Sequence, residues 1–532
     1  MYDPDQPLDK LVADAIGAAA ARTLSDWASA HGLSYSRPRW FTNGRSGALV
    51  AAVYEHRRGR GTRRLIMKYE PAGGPTEYSR LGEAWEKARP FARRHLPRAV
   101  HEPIPVGDGG WVLFQELAGS DLGRYGVLTA LLAGVPHSGV TARGDIEPVA
   151  CDRHTFAGVC AAVVDGMLRE LAVRPDIEAQ EASAFLESHF GDRTRPGGRL
   201  RALAHNYPDP FLLLPGENRP LPNPFRFIFQ PPPHLSIEVP AIVGRAHGDP
   251  HTENILVRVE PDIHGADFYL VDLARYRGRA PLTAEPVQLV LSILNRTMSE
   301  LSVPQRDLLL DLLVVGGNAD ESMLPAWLTG LLHQINDTVD AWLRPSGLGT
   351  EWRQLMPLST LAGALIFMAR STTPEINRAW FLRLAARAAA TFEEGVGAIR
   401  TPTAALALPL PPDVPRAIDD GRLALCLELP ELRALAAQRG RLADLDAIIS
   451  LAELGQDVRD QVAVLRGEVY GAHPPAVRPL PGLGPWRRGD AYFTCPLAVA
   501  CRRIAFREPS AAPPTCGVLN RAMIENRAPS PA

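Results

Sequence analysis

Three polar residues in one short stretch of the chain have the types and spacing that phosphoryl transfer requires. Residues 247–273 read HGDPHTENILVRVEPDIHGADFYLVDL, with Asp249 and Asn254 near the start and Asp272 near the end. One carboxylate can position an attacking hydroxyl and accept its proton, while an amide and a second carboxylate hold Mg²⁺ against nucleotide phosphates. The sequence therefore predicts Asp249, Asn254 and Asp272 as catalytic residues, with Asn254 and Asp272 as the ligands of Mg²⁺.

The local pattern also predicts how these residues come together. Two β-rich runs, Ile255–Val259 and Asp267–Val271, are joined by a turn-like EPDIHG segment. Such a hairpin returns the chain to its starting point, so Asp272 is expected beside the loop that carries Asp249 and Asn254. The alternative is an ordinary loop and hairpin that contains two Asp and an Asn. Spacing, strand context and the terminal Asp together favour a site.

The same residues resemble known phosphotransferases. The D-x-x-x-x-N spacing is similar to the catalytic loop of protein kinases, with Gly248 where those enzymes carry Arg. The pattern HGDxHxxNIL, followed by a strand ending in Asp, resembles the aminoglycoside and choline kinase-like phosphotransferases, which share the protein-kinase fold. The resemblance implies an α+β, two-lobed protein-kinase-like fold. A small antiparallel β lobe and a larger helical lobe would be followed by a helical annex and a short irregular C-terminal tail.

The segment before this stretch supplies the parts of a nucleotide-binding lobe. It reads as a strand, a glycine-containing turn, a second strand, and a third strand with Lys68 near its end. The resemblance implies that backbone N–H groups of the turn at Gly44, Ser46 and Gly47 lie over the phosphates, where glycine removes steric hindrance. It also implies that the Lys68 ammonium binds the α- and β-phosphates. Alone, G-x-x-G and a strand lysine are weak signals, and their order along the chain supports them.

An acidic helix is predicted next, over Thr76–His95, because apolar residues recur along one face of it. If the resemblance holds, one of its acids pairs with Lys68. Glu77 is preferred because it borders the apolar stripe, and Glu83 is the second candidate. The structural alternative is that these acids are solvated surface charges.

A buried strand then ends in three residues at the position of the hinge in kinase-like folds. These are Gln115, Glu116 and Leu117. The resemblance implies that adenine is held there by backbone hydrogen bonds, so that the identity of the side chains matters little.

The segment after Asp272 contains charged residues whose roles the sequence leaves open. Arg275, Arg277 and Arg279 form a basic cluster that could bind an acceptor or product phosphate, or could be a solvated turn. Relatives often carry an Asp with a structural contact in this segment, and here Glu285 is the nearest acid.

Composition narrows the class of protein. The chain has 532 residues, 46% of them hydrophobic and 22% charged, which is typical of a soluble globular protein with more than one folding unit. A formal net charge of −2 argues against a general nucleic-acid binder. Six cysteines are too few for a disulfide framework over this length and suit a reducing cytoplasm. The acidic N-terminus is unlike a signal peptide and no apolar run is long enough to span a bilayer, so we expect a cytoplasmic protein without a membrane partner.

Proline-rich linkers and changes in periodicity predict the domain organisation. The predicted units are an N-terminal helix packed on the first lobe (1–32), the N-lobe (33–117), the C-lobe (118–400), a linker (401–416), a helical annex (417–471), a second linker (472–486) and a cysteine-containing tail (487–532). In the tail, Cys495, Cys501 and Cys516 resemble a degenerate zinc module. Zinc requires four ligands, so the pattern favours a small tail with unliganded cysteines over a zinc site.

Two functional hypotheses follow. The first is a phosphotransferase that uses ATP (or GTP) and Mg²⁺ to phosphorylate a hydroxyl of a small molecule or protein. The second is a kinase-like nucleotide-binding regulatory module that recruits a protein partner through the annex and tail. The LVDLARYR ending, the annex and the cysteine-bearing tail most resemble the ternary-complex-associated kinase-like domains of bacterial signalling and conflict systems. The sequence does not identify the acceptor, because one fold serves many acceptors.

Overall fold

The computed structural model describes most of the chain up to residue 399 and shorter pieces after it. The described residues are 8–41, 49–57, 61–70, 74–107, 109–116, 124–140, 147–217, 219–231, 233–315, 321–399, 425, 429, 432–434, 436–454, 456, 458–470, 491–494, 504–506, 515–516, 521–522 and 524–527. The chain divides into two compact units. The first comprises Met1–His189 and Pro233–Phe367, and the second comprises Phe190–Pro232 and Met368–Ala532.

The first unit contains an antiparallel β-sheet in the order β1-β2-β3-β5-β4. Its strands are β1 (Leu33–Phe41), β2 (Leu49–Arg57), β3 (Gly61–Glu70), β4 (Ile104–Val106) and β5 (Gly110–Glu116). Lys68 lies on the central strand β3, opposite Val50 of β2 and Leu113 of β5. Because side chains alternate along a strand, the buried Leu65 and Met67 face one side of the sheet and Lys68 faces the other.

Two helices cover the face that carries Leu65 and Met67. The sequence predicts one N-terminal helix, but the structure has two, α1 (Lys10–Ile16) and α2 (Ala18–Ala30). The break is at Gly17, whose φ of 84° lies in a region that glycine adopts readily. Both helices share one apolar core with the sheet. This core fixes one face of the sheet, so that only the other face is left for the site.

The predicted helix Thr76–His95 is also two helices, α3 (Thr76–Lys87) and α4 (Arg89–His95). The break lies at Ala88, where φ is −125° and ψ is 40°. Pro90 in the first turn of α4 explains the break, because proline lacks the N–H that a continuous helix would need and restricts the residue before it.

Helices, short helical turns and short strands make up the rest of the first unit. Their bounds are β6 (Tyr125–Val127), α5 (Leu128–Gly134), α6 (Arg153–Gly166), the π-helical turn Met167–Leu171, β7 (Asp176–Glu181), α7 (Ala182–Phe190), the 3₁₀ turn Pro233–Ser236, β10 (Glu238–Ala246), β11 (Ile255–Arg258), β12 (His264–Leu270), the 3₁₀ turn Leu273–Arg275, β13 (Arg277–Pro281), α10 (Ala284–Thr297), the 3₁₀ turn Met298–Glu300, α11 (Val303–Val315), the 3₁₀ turn Glu321–Met323, α12 (Ala326–Leu343) and α13 (Gly349–Ala369). The strands form sheets in the orders β13-β10-β7 and β12-β11-β6. Helix α10 is buried over almost its whole length.

The second unit is mainly helical over its larger described segments. Its elements are the 3₁₀ turn Gly191–Thr194, α8 (Arg199–Ala204), β8 (Phe211–Leu212), β9 (Leu221–Pro222), α9 (Arg226–Phe229), α14 (Glu375–Ile399), α15 (Leu442–Glu453), α16 (Arg459–Tyr470), β14 (Ala491–Thr494), β15 (Ile504–Phe506), β16 (Thr515–Cys516), β17 (Arg521–Ala522) and β18 (Ile524–Arg527). Helices α15 and α16 lie in the predicted annex. Of the tail cysteines, Cys516 is in β16, whereas Cys495 and Cys501 lie outside the described residues. The domain boundaries drawn from composition stay predictions.

Across the described residues, no helix combines the length and the apolar character needed to cross a membrane.

A buried polar relay ties α7 and α13 to the start of α10. The Nδ1–H of His189 donates to the carbonyl of Phe185 (3.0 Å), so Nε2 accepts from the hydroxyl of Ser359 (3.0 Å). Ser359 in turn accepts from the hydroxyl of Thr283 (2.6 Å), immediately before α10. Burial, with a smaller contribution from the charge of Arg277, lowers the pKa of His189 to about 4. The folded protein therefore holds this imidazole neutral.

This relay predicts a loss of stability in mild acid. An unfolded histidine takes up a proton near pH 6.5, whereas folded His189 does so only near pH 4. Since the unfolded state binds more protons between these values, stability should fall as pH falls through this window, by up to about 3 kcal/mol. Denaturant unfolding at several pH values measures it. His189→Gln should flatten the pH dependence in that window, and an unchanged slope in the variant would contradict the assignment.

Candidate active site

The predicted catalytic loop is a compact turn held by its own backbone. The amide of His251 donates to the carbonyl of Asp249 (2.9 Å), and the amide of Asn254 donates to the carbonyl of His251 (2.8 Å). The side-chain Nδ2 of Asn254 also donates to the carbonyl of Asp249 (3.1 Å). This bond fixes the orientation of the amide, so the Oδ1 of Asn254 is directed away from the Asp249 carbonyl.

The hairpin β11–β12 brings Asp272 back to this loop, as the sequence predicts. The amide of Val271 donates to the carbonyl of Asn254 (2.9 Å), so Asn254 and Asp272 lie at neighbouring strand ends. His247 adds a second link, since its Nδ1 accepts from the amide of Asp249 (3.3 Å) and its Nε2–H donates to the carbonyl of Val271 (3.0 Å). Asp272 itself has a φ of 60°, a left-handed conformation that is strained for a non-glycine residue.

Lys68 meets three carboxylates on the free face of the sheet. Its Nζ donates to Glu77 at very short range and to Asp272 at 3.3 Å, and lies 3.5 Å from Glu70. Burial disfavours the ammonium, but Glu77 and then Asp272 attract it more strongly, so the pKa of Lys68 is raised. The Glu77 side chain keeps 3% of its accessibility and that of Asp272 keeps 43%. Glu77 is therefore the internal partner, whereas Asp272 remains open to a ligand.

Glu83, the second candidate for this pair, lies elsewhere. It accepts from Lys87 (2.9 Å) and from Arg80 (3.0 Å) on its own helix. The hydrogen bond from Lys87, with that from Arg80, lowers the pKa of Glu83. Of the two acids, Glu77, which borders the buried face of α3, is therefore the one that pairs with Lys68.

Gln115 has a side-chain role that the sequence argument missed. Its Nε2 donates to Glu77 Oε1 (3.0 Å), and both side chains are buried. Gln115 therefore fixes the carboxylate that Lys68 pairs with. The amide of Glu116, the next residue, donates to the carbonyl of Arg98 (2.7 Å), so that amide is already used within the protein.

The remaining predicted nucleotide-binding positions lie outside the described residues. They are Gly44, Ser46, Gly47 and Leu117. Their roles stay predictions.

Helix α10 clamps the catalytic loop at both ends. At its start, buried Glu285 accepts from the amides of His247 (3.0 Å) and Gly248 (2.9 Å). Burial raises the pKa of Glu285, opposed by His247 and by these amide bonds. Further along α10, the hydroxyl of Ser292 accepts from the amide of Thr252 (3.3 Å). The loop is therefore positioned by a buried helix, which is the geometry a catalytic group requires.

The arrangement suits a magnesium nucleotide. Asp272 and Asn254 would supply a carboxylate and an amide oxygen, the hard oxygen donors that Mg²⁺ prefers. The described residues hold no cluster of three or more His, Cys, Asp or Glu side chains placed to bind a metal.

Lys68 lies in the antiparallel sheet, Glu77 lies on the helix that follows it, and the loop and hairpin with Asp249, Asn254 and Asp272 lie in the part of the same unit that is mainly helical. The fold is protein-kinase-like. The chain matches no protein-family model and no curated protein.

Among solved structures, the chain has low similarity to one described as an aminoglycoside phosphotransferase and to two described as kinases. One is a provisionally assigned aminoglycoside phosphotransferase from Ralstonia eutropha, with 14% identity, a TM-score of 0.32, and coverage of 71% of this chain and 98% of that one. An amicoumacin kinase has 12% identity, a TM-score of 0.33, and coverage of 68% and 92%. A microcompartment-associated aminopropanol kinase has 12% identity, a TM-score of 0.27, and coverage of 68% and 93%. Similarities with TM-scores this low support no conclusion about function, which is inferred from the geometry of the chain itself.

The close packing around Gly248 predicts that a side chain at this position destabilises the loop. Its φ is 80°, and a Cβ there would lie 2.4 Å from the carbonyl oxygen of Arg275. Gly248→Ala should therefore displace the loop and lower the free energy of unfolding by about 2–4 kcal/mol. Gly82→Ala is the control, because a Cβ at this exposed position in α3 meets nothing within 4 Å, and it should stabilise by about 0.5–1 kcal/mol. Chemical denaturation of both variants checks this, and equal effects would contradict the packing described.

The hydrogen bond from Gln115 to Glu77 predicts that substitutions of Gln115 lower the stability of the protein. Gln115→Leu keeps a side chain of similar size but removes the donor to Glu77. The free energy of unfolding should therefore fall by about 1.5–3 kcal/mol, as for a lost hydrogen bond to a charged group. Gln115→Glu should be more harmful, because it places two carboxylates together. Urea unfolding at neutral pH gives both values. If the Leu variant is as stable as the wild type, Gln115 does not hold Glu77.

Proposed function

We propose that this protein is a Mg²⁺-dependent phosphotransferase that moves the terminal phosphoryl group of ATP, or GTP, to a hydroxyl acceptor. The observation that carries this proposal is the position of Lys68 between internal Glu77 and open Asp272. Asp272 is exposed, and the residue before it, Val271, donates its amide to the carbonyl of Asn254. An open carboxylate and an amide at neighbouring strand ends, beside a lysine, are what a phosphate- and metal-binding centre requires.

Each polar residue then has a distinct task. The Lys68 ammonium would bind the α- and β-phosphates, and Glu77 keeps it oriented with the help of Gln115. Asn254 and Asp272 would hold Mg²⁺, which neutralises phosphate charge when bound. Asp249 would orient the acceptor hydroxyl and accept its proton. Positioning and charge neutralisation account for the catalysis, as is general for phosphoryl transfer.

The acceptor is the open part of the proposal. A hydroxyl-bearing small molecule and a hydroxyl-bearing protein side chain both fit the chemistry of Asp249. The annex helices α15 and α16 are proposed as a surface for a protein partner. A phosphate-transfer screen of cell extract with radiolabelled ATP, using Asp249→Ala as the blank, would identify the acceptor.

Substitution of Asp272 and of Asp249 should impair different steps, nucleotide binding in the first case and phosphoryl transfer in the second. Asp272→Ala removes a metal ligand, so metal-dependent nucleotide binding should fall at least tenfold, the loss expected for a disrupted metal site. Asp249→Ala should leave nucleotide binding near that of wild type and abolish transfer. Thermal shift with Mg²⁺ and ATP, followed by phosphate release, separates the two effects. Equal loss of binding in both variants would contradict these roles, and binding without turnover in wild type would favour the regulatory-module hypothesis.

A further inference from the structure

Three arginines of the second unit lie around the short segment that joins α13 to α14. Arg370 directly follows α13, Arg378 lies in the first turn of α14, and Arg199 begins α8. The Nη2 of Arg378 donates to the carbonyls of Arg370 and Ser371, both at 3.4 Å. Arg199 is close enough to Arg378 for the charge of one to act on the other. We call Arg199, Arg370 and Arg378 the arginine cluster.

Each side chain of the arginine cluster buries one nitrogen that has no hydrogen-bond partner in the described part of the chain. The three atoms are Nε of Arg199, Nη1 of Arg370 and Nε of Arg378. Arg199 and Arg370 make other contacts as well, so only these single N–H groups are unsatisfied. Buried donors in proteins are almost always hydrogen-bonded. Three unsatisfied donors in one cluster therefore indicate a place for the acceptor atoms of a ligand.

The charges of the arginine cluster act on one another. Burial, and then the charge of Arg378, lowers the pKa of Arg199 to about 10. Burial also lowers the pKa of Arg378, although the charge of Glu375 opposes this effect. Like charges held together in a partly buried place destabilise each other, and an anion between them would remove that repulsion.

Other arginines of the second unit have a different environment. Arg383 and Arg387 both donate to the carboxylate of Glu217, the second at 2.7 Å. In that arrangement a carboxylate of the protein compensates two guanidinium groups. Arg199 and Arg378, in contrast, each face a second guanidinium. The arginine cluster therefore has the charge that an external anion requires.

A phosphate group suits these donors and charges best. The planar guanidinium donates through paired N–H groups that match the oxygens of phosphate. A phosphate monoester carries roughly two negative charges at neutral pH, and its oxygens point to several sides, so that more than one arginine can bind it. A carboxylate has one charge and two oxygens in one plane. The N-terminus of α14, a helix of 25 residues, adds partial positive charge beside Arg378.

We propose that the arginine cluster is a binding site for a phosphate group, either inorganic phosphate or the phosphate of a monoester. The guanidinium N–H groups donate to the phosphate oxygens, and no covalent bond forms or breaks. The site shares no residue with the proposed active site, because Lys68, Asp249 and Asp272 belong to the first unit. The inference does not rest on the proposed phosphotransferase function.

Isothermal titration of the full chain with inorganic phosphate, without nucleotide or metal, tests the proposal. Wild type should bind phosphate, and acetate at equal ionic strength should not compete. Arg199→Met and Arg378→Met keep the apolar stems but remove the charges. Each should weaken phosphate binding about tenfold or more, the effect of a lost hydrogen bond to a charged group. Arg378→Lys should keep part of the affinity.

A second titration, with glycerol phosphate, distinguishes the two sources of the phosphate group. Tighter binding of glycerol phosphate than of inorganic phosphate assigns the site to a monoester. Tighter binding of inorganic phosphate assigns it to the anion alone. Both results support a phosphate site, and binding of neither compound contradicts it.

Arg219→Met is the matched control, because Arg219 is an exposed arginine of the same unit that pairs with Glu394. It should bind phosphate as wild type does. Lys68→Met should also keep phosphate binding, since Lys68 belongs to the proposed active site. Undiminished binding in both Arg199→Met and Arg378→Met would overturn the proposal. A loss in Arg219→Met or Lys68→Met equal to theirs would do the same.

Thermal unfolding separates ligand binding from a structural role of Arg199. Phosphate should raise the Tm of wild type, because a ligand that binds the folded state stabilises it, and should raise that of Arg199→Met much less. Without phosphate, Arg199→Met should melt no lower than wild type, since it removes a repulsion. If the variant melts lower by the same amount with and without phosphate, Arg199 is structural and the proposal fails. Circular dichroism establishes that each variant is folded, and either methionine variant alone suffices for the test.

Discussion

A buried ammonium must be surrounded by carboxylates, because burial alone would drive it to lose its proton. That requirement at Lys68 governs how the first unit is built. Strand β3 supplies the lysine, α3 supplies Glu77, and the end of the β11–β12 hairpin supplies Asp272. Segments distant in sequence must therefore meet at one point. The α1–α2 core on the opposite face keeps the sheet that carries Lys68 in place.

Rigid support extends from this ion pair into the catalytic loop. Gln115 donates to the Glu77 oxygen that Lys68 does not bind, and buried Glu285, at the start of α10, accepts from two amides of the loop. Gln115 and Glu285 leave few rotamers to the Lys68–Glu77 pair and few conformations to the loop that carries Asp249, which is the preorganisation that the proposed site requires.

The sequence predicted the parts of this site that depend on fixed spacing. Asp249 and Asn254 share one tight turn, the hairpin returns Asp272 to it, and Glu77 borders an apolar stripe whose burial follows from helical periodicity. What it missed depends on partners distant in sequence. Gln115 looked like one hinge residue among three, because nothing local shows that its side chain meets α3. Likewise, nothing local shows that Arg277 donates to the carbonyl of Ser188 in α7, or that Arg279 pairs with Asp176 and Glu178 of β7.

The central claim is that Asp272 and Asn254 bind a metal while Lys68 binds the phosphates of the same nucleotide. A crystal structure of the protein with Mg²⁺ and a non-hydrolysable ATP analogue tests this most directly. The account predicts oxygens of both residues at about 2.0–2.1 Å from the ion, and Lys68 Nζ in contact with phosphate while still bound to Glu77. A nucleotide bound elsewhere, or a metal held without Asp272, would contradict it.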